Sequence, residues 1–134
     1  MTEIVRLWRE SRLPIKDGVY FADGRSYAVD AVHGRLSVVE QFELAEMLAE
    51  DADWVTKIHV TRQVVAPGGF ACAGEGSWGS EGFFGRLNAD EQLVWVCYLS
   101  EGNPFDRVVV ADGMLTAMST SGLTITVDLD APVG

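Results

Sequence analysis

The sequence predicts an α+β domain, mainly an antiparallel β-sheet meander with one acidic amphipathic helix packed against it. Three observations carry this. Short β-rich segments follow one another across turns of two to four residues, a spacing that favours antiparallel neighbours. Residues 123–129 alternate strictly, with Leu123, Ile125, Val127 and Leu129 against Thr124, Thr126 and Asp128, as a strand with one wet face requires. One stretch only, from Phe42 to Ala49, repeats its apolar residues at helical spacing.

Taken in order, the N-terminal Ile4, Val5, Leu7 and Trp8 fit either a strand or a short helix. Val19-Tyr20-Phe21 and Ser26-Tyr27-Ala28-Val29 flank Asp23-Gly24, a hairpin signal. His33-Gly34-Arg35 turns the chain into residues 36–39. In the helix, Phe42, Leu44, Ala45, Met47, Leu48 and Ala49 form the apolar stripe, and Glu43, Glu46 and Glu50 fall on another face. Like charges at that spacing oppose the helix slightly, so packing of the stripe must offset them. Residues 54–65 make a long β-branched strand that Pro67-Gly68-Gly69 ends. A meander follows: residues 82–87, the turn Asn88-Ala89-Asp90, the very apolar residues 92–99 as a central strand, the turn Glu101-Gly102-Asn103-Pro104, then residues 107–110, 114–118 and 123–129.

At 134 residues and 48% hydrophobic, the chain is expected to form a single domain, 1–134, with a core that needs neither disulfide nor metal. No apolar run approaches the ~20 residues of a membrane helix. The start, Met1-Thr2-Glu3-Ile4-Val5-Arg6, lacks the basic and apolar regions of a signal peptide. A cytoplasmic location is therefore expected. Cys72 and Cys97 sit in apolar surroundings and read as two buried thiols; a bridge would require adjacent strands to set them face to face.

Twenty acids oppose ten bases, a formal net charge of −10. That charge repels nucleic acid and anionic membranes and favours a basic partner. It is unevenly spread: residues 40–53 hold Glu40, Glu43, Glu46, Glu50, Asp51 and Asp53 and no base.

No catalytic constellation stands out, and neither a metal nor a cofactor is expected. Gly74-Glu75-Gly76-Ser77-Trp78-Gly79 spells the dinucleotide fingerprint, but that motif needs a helix opening at its third glycine. Here the strand-like Gly82-Phe83-Phe84-Gly85 follows, and Glu75 and Glu81 would repel phosphate. His33 and His59, the only histidines, lack any ligand spacing with the cysteines, and no nucleophile elbow is present.

Across residues 74–129, the run Gly76-Ser77-Trp78-Gly79, Gly82-Phe83-Phe84, Leu93-Val94-Trp95 and Asn103-Pro104-Phe105, closing on an alternating strand, resembles small bacterial immunity proteins of polymorphic and contact-dependent toxin systems. The resemblance implies an inhibitor and not an enzyme. Its partner would be a cognate toxin with a basic surface, such as a nuclease domain. The expected contact residues are Glu43, Glu46, Glu50, Asp51 and Asp53 for charge, with Trp78 or Phe105 as apolar anchor. The resemblance itself transfers none of these residues; they come from the charge block and the aromatic pattern. A different class of function, a small-molecule-binding or enzymatic domain with a pocket between curved sheet and helix, is motivated by Tyr20, Phe21, Tyr27, Phe83, Phe84, Trp95 and Tyr98. A self-associating subunit using an open sheet edge is a third possibility. The chain is expected to be a monomer or a homodimer.

Overall fold

A computed structural model describes residues 1–133. The fold is sheet-dominated α+β, as expected, but its strands divide into two sheets and its helices number two. The helices are α1 (Glu3–Arg9) and α2 (Leu44–Glu50); the strands are β1 (Arg12–Pro14), β2 (Gly18–Phe21), β3 (Ser26–Val32), β4 (Arg35–Phe42), β5 (Val55–Ala66), β6 (Gly69–Gly76), β7 (Gly82–Asn88), β8 (Leu93–Leu99), β9 (Phe105–Ala111), β10 (Met114–Ser119) and β11 (Thr124–Asp128). Eight strands form one curled sheet in the order β1-β5-β6-β7-β8-β2-β3-β4, and β11-β10-β9 form a second. Every pairing is antiparallel.

The large sheet is covered on both faces, which explains why β8 is so apolar. Its Trp95, Cys97 and Leu99 pack with Phe105, Val108, Leu115, Ile125 and Val127 of the small sheet. Its Val96 and Tyr98 point the other way, among Ile4 and Leu7 of α1 and Leu44 and Leu48 of α2. Side chains that alternate between two dry faces leave no polar position in a strand. Each of these fully buried large side chains stabilises the fold by roughly 1.5–3 kcal/mol. The Trp95 indole N–H also donates to the carbonyl of Leu129 at 2.9 Å, tying the end of β11 to the large sheet. At the far edge, the Thr126 N–H donates to Gly34 O at 2.9 Å and links β11 to the β3–β4 turn.

The single-helix expectation is corrected by the N-terminal segment, where Ile4 and Leu7, three apart, are buried. That is one helical face, not strand alternation. Thr2 caps α1, its hydroxyl oxygen accepting from Val5 N at 3.4 Å and its O–H donating to Ala22 O at 2.9 Å. Arg6 pairs with Glu3 at 2.6 Å and with Glu10 at 3.3 Å on the exposed side. In α2, Leu44 and Leu48 face the sheet and Glu46 and Glu50 face outward. Phe42, assigned to the helix stripe from sequence, is instead the last residue of β4, where its ring meets Tyr20 edge-on at 5.8 Å. No helix is long and apolar enough to cross a membrane among the described residues.

Candidate functional site

The acidic block lies along α2 and the connection that follows it. Glu43 precedes the helix at the N-cap without a side-chain cap bond, and Asp51 is the C-cap. Glu43, Glu46, Glu50, Asp51 and Asp53 are all exposed. None takes part in an ion pair among the described residues. Lys16 shares a shallow groove with Glu43, Glu46 and Glu50, its Nζ 4.8 Å from the Phe42 ring, and Arg6 and Arg12 line a second groove with Ala45, Ala49 and Ala52. Asp51 makes one local contact, accepting from Asp53 N at 3.1 Å, which closes the turn into β5. Glu50 and Asp51 sit at the helix C-terminus, where the last turn carries no base. Negative charge there opposes the helix dipole by about 0.3–1 kcal/mol per group.

Strand register gathers other exposed groups at one end of the large sheet. Ile58 pairs with Gly76, Glu75 with Gly82, and Gly82 with Leu99. The start of β5, the β6–β7 turn and the β8–β9 turn therefore share a rim. Asp51, Asp53 and Trp54 enter β5 there; the β6–β7 turn carries Trp78 and the β8–β9 turn carries the exposed Glu101. Trp54 is 49% exposed and Trp78 68%. Asp51, Asp53 and Trp78 thus belong to one end of the molecule, and α2 leads away from it to Glu43, which lies beside Gly24 of the β2–β3 turn at the other end.

Phe105, the alternative anchor, is corrected: it is completely buried. It opens β9 facing inward and packs edge-on against Phe84 at 5.1 Å. Gly82 and Gly102 make room for it, since a Cβ on either would come within 2.8 Å and 3.1 Å of its ring.

The glycine-rich motif is a strand end and a turn, with no helix after it. Two of its three glycines answer close packing, and Gly79 faces open space. A Cβ at Gly74 would lie 2.0 Å from the carbonyl oxygen of His59, and one at Gly76 would lie 2.3 Å from a carboxylate oxygen of Glu81. That acid, which the sequence marks only as a charge unfavourable to phosphate, proves to be structural. Glu81 is buried, accepting from the Thr56 hydroxyl at 3.0 Å, from Trp78 N at 3.0 Å and from the Tyr98 hydroxyl. Burial first, and then the Glu81 carboxylate, hold the Tyr98 hydroxyl well above the ordinary tyrosine range, so it stays a donor. No sequence signal separates Glu81 from the other nineteen acids.

Cys72 and Cys97 lie on opposite faces of the large sheet, one in each core, with β7 between their strands. Both are free. Burial pushes the Cys72 thiol up to about 12 and raises the Cys97 thiol as well. His33 occupies the β3–β4 turn and His59 is exposed on β5. No group of three metal-ligating side chains occurs among the described residues. The space between sheet and helices is filled by Tyr20, Phe83, Val96 and Tyr98. Grooves of about 300 and 280 Å³ lie open to solvent along α1 and α2.

The fold and rim define a sheet-based domain with an acidic, tryptophan-bearing end. No protein-family model matches the chain, and no match to a curated protein or a solved structure was found.

Proposed function

We propose that this protein is an immunity-type inhibitor: it binds a basic cognate toxin domain through its acidic rim and covers the toxin's active site. The carrying observation is that Glu43, Glu46, Glu50, Asp51 and Asp53 are exposed and make no ion pair among the described residues, with Asp51 and Asp53 at the rim that bears two exposed tryptophans. Glu50 and Asp51 stand where they weaken their own helix, so local stability does not account for them. A basic partner does, because unpaired acids steer encounter and set register, while aromatic anchors supply most of the affinity. Inhibition of this kind needs no chemistry from the inhibitor, only an occluding surface.

The experiment is capture from the native host at low salt with the tagged protein, elution along a salt gradient, and assay of the eluted protein for a toxic activity. One basic protein, released as salt screens the contact and inhibited stoichiometrically on re-addition, is the expected result. Capture of nothing at any salt, or of a protein whose activity is unchanged by re-addition, would sink the proposal.

A further inference from the structure

A carboxylate buried in a β-turn is costly unless donors meet it. Glu81 has three: Thr56 Oγ1 from β5, the Tyr98 hydroxyl from β8, and the backbone N–H of Trp78 in its own turn. The turn is tied down elsewhere as well. Glu81 N donates to Trp78 O at 3.0 Å, the Ser77 hydroxyl donates to Lys57 O at 3.2 Å, and Asn103 N donates to Ser80 O at 2.8 Å. Gly76 is left without a side chain where the carboxylate lies. The only large side chain this scaffold leaves out of the fold is the indole of Trp78. A turn needed merely to join β6 to β7 would require neither the buried acid nor the tryptophan.

We propose that Glu81 is the positioning residue of this turn: it holds Trp78 as a preformed anchor for an apolar socket bordered by lysine or arginine side chains on the partner. The basic border follows from Asp51, Asp53 and Glu101 at the same rim. This inference rests on the binding reading above. A preformed anchor forfeits little conformational freedom on docking, which a freely moving loop tryptophan would lose.

The test begins on the free, full-length protein. In hydrogen exchange, the wild-type amides of Trp78 and Glu81 should be protected although the turn is at the surface. In Glu81→Met, which keeps the bulk and loses the acceptor, they should exchange at least ~tenfold faster while β7 and β8 are unchanged. Glu81→Gln keeps an acceptor and should restore most of the protection. With 5-fluorotryptophan incorporated, the resonance that disappears in Trp78→Phe should move toward the solvent-averaged position in Glu81→Met only. Unprotected wild-type amides, or a Glu81→Met turn as ordered as wild type, would overturn the claim. If Glu81→Met does not fold, Thr56→Val and the wild-type amides decide it. With the salt-eluted partner in hand, Glu81→Met should weaken binding in the wild-type background and leave it unchanged when Trp78→Ala is already present. Equal weakening in both backgrounds refutes action through Trp78. Failure to capture any partner removes the inhibitor reading and leaves the turn's order to be judged on the free protein.

Discussion

Replacing Gly76 by alanine tests the packing around Glu81 with one methyl group. The backbone at Gly76 is not in the left-handed region, so alanine is conformationally allowed and in an open strand would be neutral to stabilising by about 0.5–1 kcal/mol. Here the new Cβ would stand 2.3 Å from the Glu81 Oε1 atom and 2.8 Å from its Cβ and Cδ atoms. Relief of that overlap moves Oε1 away from both the Thr56 hydroxyl and Trp78 N, which it accepts at 3.0 Å each. Two hydrogen bonds to a buried charged group are worth roughly 3 kcal/mol together. Gly76→Ala should therefore lower the unfolding free energy by about 3 kcal/mol in urea titrations. In a Glu81→Ala background the 2.3 Å contact is gone and only the Cβ contact remains, so the same substitution should cost at most about 1 kcal/mol. A coupling near 2 kcal/mol is the expected outcome of the cycle. Coupling below about 0.5 kcal/mol, with Gly76→Ala costing the same in both backgrounds, would refute the placement of the carboxylate.

Other consequences are open to direct measurement. Trp78→Ala should change folding stability by no more than about 0.5 kcal/mol, because the side chain is mostly exposed, yet weaken partner binding at least ~30-fold; a drop in the melting temperature without a loss of affinity would make it a structural residue. The two thiols should resist a thiol reagent in the native protein and react fully in denaturant, since burial raises both; rapid native labelling would contradict their placement. Stability should fall in alkali. Cys72, Cys97, Tyr20 and Tyr98 are all raised by burial in the fold, so the unfolded chain loses their protons first. Below about pH 8 both states hold those protons and these groups give no pH dependence. Above about pH 9, the unfolding equilibrium shifts up to ~tenfold per pH unit for each group ionised only in the unfolded chain. A urea midpoint unchanged between neutral and strongly alkaline pH would show that these groups are not buried.

The legible parts of this fold are the local ones. Asp23-Gly24, His33-Gly34, Pro67-Gly68, Asp112-Gly113 and Ser121-Gly122 mark turns because each glycine adopts positive φ, and these pairs punctuate the strands before any tertiary contact forms. Leu44 and Leu48 betray the buried face of α2 by spacing alone. Residues 69–76 concealed a strand because three of the eight are glycine, and those glycines answer tertiary contacts with Asn88, His59 and Glu81 that no local pattern displays. The seven residues of α1 are too few for periodicity to decide. The division into two sheets depends on nonlocal pairing, with β2 inserted beside β8, which no local pattern encodes. The site divides in the same way. The acidic block was visible as a run of charge. That Trp78 is exposed while Phe105 is buried follows only from which residues face Phe84 across the core, and Glu81 became distinct only once its three donors were in place.

The central claim is that a basic partner docks on the acidic rim, and one titration tests it most directly. The captured partner is titrated with wild-type protein and with the triple variant Glu46→Lys, Glu50→Lys, Asp53→Lys, from about 0.01 M to about 1 M salt, over which the screening length falls from about 30 to about 3 Å. All three side chains are exposed, so the variant should fold as wild type does. The account predicts that wild-type affinity declines steeply with salt and that the variant binds at least ~100-fold more weakly at low salt, with little salt dependence left. Equal affinities for wild type and variant across the whole range would contradict it.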